Sequence, residues 1–198
     1  MKLYYSPGAC SQAPHILLHE IGLAHDAARV DLRDKTLEDG SSYLQVNAKG
    51  SVPALELDNG EVLTEGPAIV QYIADLKPES GLAPRNGSFE RYRLQEWLNF
   101  ISTEIHKQFS PLFNPAYESK EYSKGNLSKR FEYLNKLLES RKFLLGDGFT
   151  VADGYLYTLP NWAKPLGIDL ARWPALASYH AGIASRPKVQ EALSAESK

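Results

Sequence analysis

Cysteine is almost missing from this 198-residue chain, which has one, Cys10. A single cysteine excludes an intrachain disulfide framework and any multi-cysteine metal centre, and a free thiol suits a reducing compartment. An excess of charge is missing too. Lys and Arg number 22 against 24 Asp and Glu, so the net charge is −2, with no broad basic footprint for nucleic acid. No apolar run approaches the roughly 20 residues that span a bilayer, and the opening Met-Lys-Leu-Tyr-Tyr-Ser-Pro7 carries no apolar signal segment. Repeats and low-complexity tracts are absent. The expectation is a soluble, cytoplasmic protein with neither a nucleic-acid nor a membrane partner. Its 43% apolar and 23% charged residues suit ordinary globular packing, in one large domain or two small ones.

The first 77 residues alternate strand and helix signals. Lys2–Ser6 is rich in β-formers and ends at Pro7-Gly8. Ala13, Ile16, Leu17 and Ile21 then share one helical face, with Pro14 in the first turn and Gly22 as the stop. Ala28–Leu32 alternates as a strand, Lys35–Tyr43 is polar and irregular, and Leu44–Val46 suggests a helical turn. Pro53–Leu57 and Glu61–Leu63 flank Asn59-Gly60, a strong hairpin signal, and Ala68–Leu76 carries a helical stripe. This order describes a small α/β sandwich over 1–77. Residues 78–87 hold Pro and Gly breaks and form the expected linker. From 88 to 198 the periodicity is helical, with segments at Ser88–Phe109, Lys129–Leu145, Val151–Leu159 and Pro174–Arg186, and a stub at Val189–Leu193. Thr150-Val-Ala-Asp153 is a helix-start box.

Cys10 lies where the first strand turns into the first helix. A helix N-terminus favours thiolate over thiol, whereas a lone cysteine is also a common small core residue. Val52-Pro53 precedes the hairpin strand. A cis bond there would turn the Val52 N–H and C=O outward to pair with an extended ligand; a trans bond would simply begin an edge strand. Glu65-Gly66 opens the helix after the hairpin, a place for a ligand carboxylate or ammonium, or merely for an acid favoured by the helix dipole. His106 on the long helix is either structural or a base reaching the thiol. His15 and His19 have the i, i+4 spacing of metal ligands, but no third ligand stands out nearby, so no metal site is expected.

Together these features resemble the cytosolic glutathione transferases, and Pro-Gly-Ala-Cys10-Ser11, Lys35, Val52-Pro53-Ala-Leu, Leu-Thr-Glu65-Gly66-Pro-Ala-Ile and Glu104-Ile-His106-Lys107 resemble the bacterial beta class over essentially the whole chain. The resemblance implies a thioredoxin-like α/β domain followed by an all-α domain, in a homodimer that binds glutathione in a cleft between the domains. It implies catalytic roles for Cys10, Ser11 and His106. Glutathione contacts would come from Tyr5, Cys10, Lys35, Val52, cis Pro53, Glu65, Gly66, Asn99, Glu104, His106 and Lys107. Ala9, Phe109, Leu112, Phe113 and Trp162 would face a hydrophobic electrophile. Many relatives place Ser where Gly66 stands, so one hydroxyl contact worth about 1 kcal/mol is lost. The implied activity is glutathione conjugation for detoxification, with Cys10-dependent thiol–disulfide or peroxidase chemistry beside it. The rivals are a specialised glutathione-dependent isomerase or reductive dehalogenase, and a non-enzymatic binding protein on the same fold.

Overall fold

A computed structural model describes residues 1–117 and 120–197. Its contacts divide the chain into two compact units, Met1–Ser80 with Arg186–Lys198, and Gly81–Ser185. The last helix therefore belongs with the first unit, whereas helical periodicity alone had grouped it with residues 88–198. The reason is long-range. The Glu196 carboxylate accepts hydrogen bonds from His15 Nδ1 (3.1 Å), Gln12 Nε2 (3.3 Å) and the Gly8 amide (3.2 Å), and Arg186 clamps Glu20 at 2.7 and 2.9 Å. No local pattern announces such pairs.

The first unit is built on a five-stranded sheet in the order β3-β2-β1-β4-β5. β1 (Lys2–Tyr5) runs parallel to β2 (Asp26–Asp31), joined by helix α1 (Gln12–Ile21). β4 (Ala54–Glu56) and β5 (Val62–Thr64) form the hairpin, turned at Gly60 with φ 82°. β3 (Thr36–Leu37) pairs antiparallel with β2 inside the stretch expected to be irregular; two residues are too few to show a period. Tyr4, Val30, Tyr43, Val52 and Ala54 cluster on one face of the sheet. Leu3 and Leu55, in register across β1 and β4, are fully buried on the other. Helix α2 (Gly66–Leu76) packs on α1.

The second unit is helical: α3 (Phe89–Phe100), α4 (Lys107–Phe113), α5 (Glu121–Leu138), α6 (Val151–Thr158) and α7 (Pro174–Ala184); α8 (Pro187–Glu196) completes the first unit. Between α3 and α4 lies a π turn, Ile101–His106, and the helix then runs past Pro111, where the sequence predicts a stop. α5 begins eight residues before the periodic segment, in a polar stretch containing Gly125, and stops at Leu138. Leu144 instead lies in a bridged loop, where its amide donates to Asp153 at 2.9 Å. Asp153 also accepts from the Thr150 amide and hydroxyl and from the Tyr179 hydroxyl, at 2.8–2.9 Å. The helix-start box is thus a wholly buried carboxylate with four donors, and burial raises its pKa. Among the described residues no helix is long and apolar enough to cross a membrane.

Candidate active site

The site residues of the first unit come from three segments that meet at one side of β1 and β4. The first is the turn between β1 and α1. Cys10 is half-buried, and its Sγ–H donates to the Val52 carbonyl at 3.2 Å. Burial, the largest effect, pushes the thiol up to about 11; two local backbone N–H groups oppose the rise and the Glu65 charge adds to it. Of the two sequence readings of Cys10, the helix N-terminus favours thiolate, but here desolvation outweighs the backbone donors. Ala9 packs against the Tyr4 cluster. Ser11, expected among the catalytic groups, is wholly buried; its hydroxyl accepts from the Ser6 amide and donates to the Ser6 carbonyl, which shapes the turn. Tyr5, expected to touch ligand, is buried with its ring 5.4 Å from His15.

The second segment leads into β4. The Val52–Pro53 bond is cis. Tyr43 Oη and Asn47 Nδ2 both donate to the Ser51 carbonyl, at 2.9 and 2.7 Å, and so hold this entry in place. The Val52 carbonyl, expected to face outward, accepts the Cys10 thiol instead. Lys35 has a left-handed backbone (φ 58°), and its Nζ donates to the Gly50 carbonyl at 2.7 Å. Gly50 itself has φ 62°, and a Cβ there would press on Leu44 and the Lys35 stem at 3.2–3.4 Å.

The third segment is the start of α2. Glu65 holds φ 70°, a conformation that costs a non-glycine residue about 1–3 kcal/mol and clusters at binding sites. Its exposed carboxylate meets Lys49 Nζ at 2.6 Å, and Lys49 also reaches Thr64. Lys49 was missed by sequence reasoning; no motif marks it. Pro67 has no N–H, and the Ala68 and Ile69 amides close on the Glu65 carbonyl at 3.0 Å, so Gly66 supplies the amide at this terminus. A Cβ on Gly66 would meet no atom within 4 Å.

The second unit holds a different kind of site. His106 Nδ1 lies 2.7 Å from the Tyr155 hydroxyl, and its ring is 5.1 Å from Trp162. Burial chiefly, with Lys107 adding, pushes His106 down to about 4, so it is neutral near pH 7. Trp162 stands edge-on to Phe109 and Phe113, at 5.3 and 5.6 Å. Of the residues expected to face an electrophile, Phe113 is 51% exposed and Trp162 half-buried, while Phe109 and Leu112 are core. Tyr155, which orients His106, was missed because a buried aromatic on an apolar helix reads as core. Glu104 is clamped by Arg130 Nε and Nη2. Asn99 and Lys107 are exposed.

The structure also supplies a third histidine beside His15 and His19. His25, just before β2, brings one nitrogen of each ring within 4.8 Å of the others.

Residues 8–76 match the family model described as the glutathione S-transferase N-terminal domain, and residues 100–187 match the glutathione S-transferase C-terminal domain. The chain is 46% identical to the glutathione S-transferase GstA of Escherichia coli O157:H7, over 99% of this chain and 98% of that protein. Among solved structures, a sphingomonad glutathione S-transferase complexed with glutathione superposes with a TM-score of 0.96 at 49% identity, covering 100% of this chain and 99% of that one. The bacterial beta class glutathione S-transferase of Sphingomonas chungbukensis gives 0.96 at 47% identity, covering 99% and 98%.

Proposed function

The chain belongs to the glutathione S-transferase family, and on that premise we propose that it conjugates the thiolate of glutathione to small hydrophobic electrophiles in the manner of the bacterial beta class. The observation that carries this reading is the Cys10 thiol bonded to the Val52 carbonyl, with the Glu65 carboxylate near enough to bear on it. Glutathione brings one ammonium, two carboxylates and a thiol. Glu65 suits the ammonium, which would take the place of Lys49; the Gly66 amide suits the γ-glutamyl carboxylate and Lys35 the glycyl one. Val52 and Pro53 suit the extended cysteinyl backbone. His106, Asn99, Glu104 and Lys107 remain candidates for further contacts, and Phe113 and Trp162 for the electrophile.

Cys10 enters as a neutral donor. A thiol with a pKa of about 11 carries roughly one part in ten thousand thiolate at pH 7. It can turn its S–H from Val52 to a glutathione thiolate and stabilise it, without the repulsion of two adjacent anions. The thiolate sulfur then bonds to the electrophilic carbon, whose leaving group departs with the bonding pair. Redox chemistry at Cys10 needs its thiolate, which burial disfavours. The reading includes a cytoplasmic homodimer with a role in detoxification; the single free cysteine and the exposed Phe89 and Tyr92 of α3 support the first two.

Glutathione titration by calorimetry, with conjugation of an aryl chloride assayed in parallel, tests this. Cys10→Ala is expected to keep glutathione binding, lower conjugation several-fold and abolish disulfide-linked turnover. A wild-type chain that does not bind glutathione would overturn the function and return the non-enzymatic rival. Complete loss of conjugation in Cys10→Ala would make Cys10 the principal catalytic group.

A further inference from the structure

His15, His19 and His25 form a nearly equilateral triangle, with ring centroids 5.2, 5.4 and 5.5 Å apart. The first two rings rise from adjacent turns of α1, and the third comes from the loop entering β2. An oxygen faces one nitrogen of every ring. His15 Nδ1 meets Glu196 Oε1 at 3.1 Å, His25 Nδ1 meets the Leu23 carbonyl at 2.9 Å, and His19 Nδ1 lies 3.7 Å from Glu191 Oε2. Carbonyl and carboxylate oxygens only accept, so on His15 and His25 the ring proton sits on Nδ1 and the lone pair on Nε2, while the His19–Glu191 separation exceeds a hydrogen bond. This is the outer shell that metal-binding histidines use to fix tautomer and orientation.

We propose that His15, His19 and His25 form a three-histidine site for a divalent transition-metal ion of the zinc type. Three imidazoles without thiolate suit zinc, copper or nickel, whereas magnesium and calcium require oxygen donors. Tetrahedral coordination at about 2.0–2.1 Å sets the nitrogens about 3.4 Å apart. The present spread of up to 4.8 Å closes by small ring rotations, which the half-exposed His19 and His25 can make. His19 is 23% exposed, which gives the ion an entry path and leaves a fourth position for water. Glu191 and the buried Glu196 supply counter-charge, the former shared with Lys188. Because Glu196 also holds Gln12 and the Gly8 amide, a bound ion would tighten the turn that carries Cys10. The site lies within the first unit and does not depend on glutathione binding.

Tag-free protein, stripped with a chelator, is to be titrated with zinc chloride by calorimetry and with cobalt chloride by visible absorption. One ion per chain and the intense d–d bands of tetrahedral cobalt are expected. His19→Ala and His25→Ala should each weaken binding at least tenfold, and zinc should raise the melting temperature of the wild-type chain but of neither variant. His15 is left intact because its burial makes it part of the core. Absence of one-to-one binding by the wild-type chain, or binding unchanged in both variants, would overturn the site. The cobalt spectrum of the wild-type chain decides the matter even where a variant folds poorly.

Discussion

The two units arrange chemistry in opposite ways. In the first, the candidate site is made largely of backbone: the Val52 carbonyl, the Gly66 amide, a cis bond at Pro53 and left-handed conformations at Lys35 and Glu65. In the second it is made of side chains: His106 held by Tyr155, and Trp162 standing over Phe109 and Phe113. Backbone groups cannot be exchanged by substitution, which under the proposed function suits recognition of the tripeptide, whereas side-chain walls are readily altered, which would suit varied electrophiles. Under the proposed function, the difference predicts that the first unit governs affinity for glutathione and the second governs choice of electrophile.

The sharpest way to break this comparison is through stability, because the second unit relies on a buried side-chain network. Asp153→Ala strands four donors and is expected to cost about 3–5 kcal/mol. The shift in urea midpoint measures it, and a loss below about 1 kcal/mol would mean that the network is not what holds α6.

Next comes pH. His106 has a folded pKa of about 4 against 6.5, so the folded state binds its proton less well than the unfolded chain does. Stability from this group is fully present above pH 6.5 and is lost as pH falls toward 4, by at most about 3 kcal/mol. Denaturation of wild type and His106→Asn at pH 7 and pH 4.5 isolates the contribution; parallel curves would remove it.

A smaller effect is expected in the first unit. Glu65→Gln keeps the shape but removes the charge that suits an ammonium, and should weaken glutathione binding about 10–50-fold, about 1.5–2.5 kcal/mol. Unchanged affinity would assign the ammonium elsewhere.

The smallest is Gly66→Ser. The added side chain meets open space, so binding should tighten by no more than about 1 kcal/mol, with the melting temperature held. Weaker binding would show that the Gly66 amide is the whole of the interaction there.

Legibility in the sequence follows the same division. The strand–Cys10–helix order, the Asn59-Gly60 turn and the Thr150…Asp153 box are local patterns, and each corresponds to an observed element. The direction of the Cys10 pKa is not local. The helix N-terminus was visible, but the burial that outweighs it depends on segments 42 and more residues away. Ser11 and Tyr5 show the same limit, since a polar residue beside a cysteine reads alike whether it faces ligand or braces a turn. β3 is too short for periodicity, and the π turn leaves the apolar spacing of Ile101 and Ile105 intact, so neither has a sequence signature. His25 lies outside the i, i+4 pair it joins, and only the path of the chain brings it back.

Glu196 also bears on the order of events during synthesis. The first unit is discontinuous in the chain, and the carboxylate to which Gly8, Gln12 and His15 donate follows the entire second unit. At about 5–20 residues per second, the ribosome would need roughly 5–20 s to translate Gly81–Ser185 before α8 begins to emerge. For that interval the first unit lacks its last helix, and Gly8, Gln12 and His15 lack their Glu196 acceptor. The turn bearing Cys10 therefore acquires its Glu196 brace only after the whole second unit has been made.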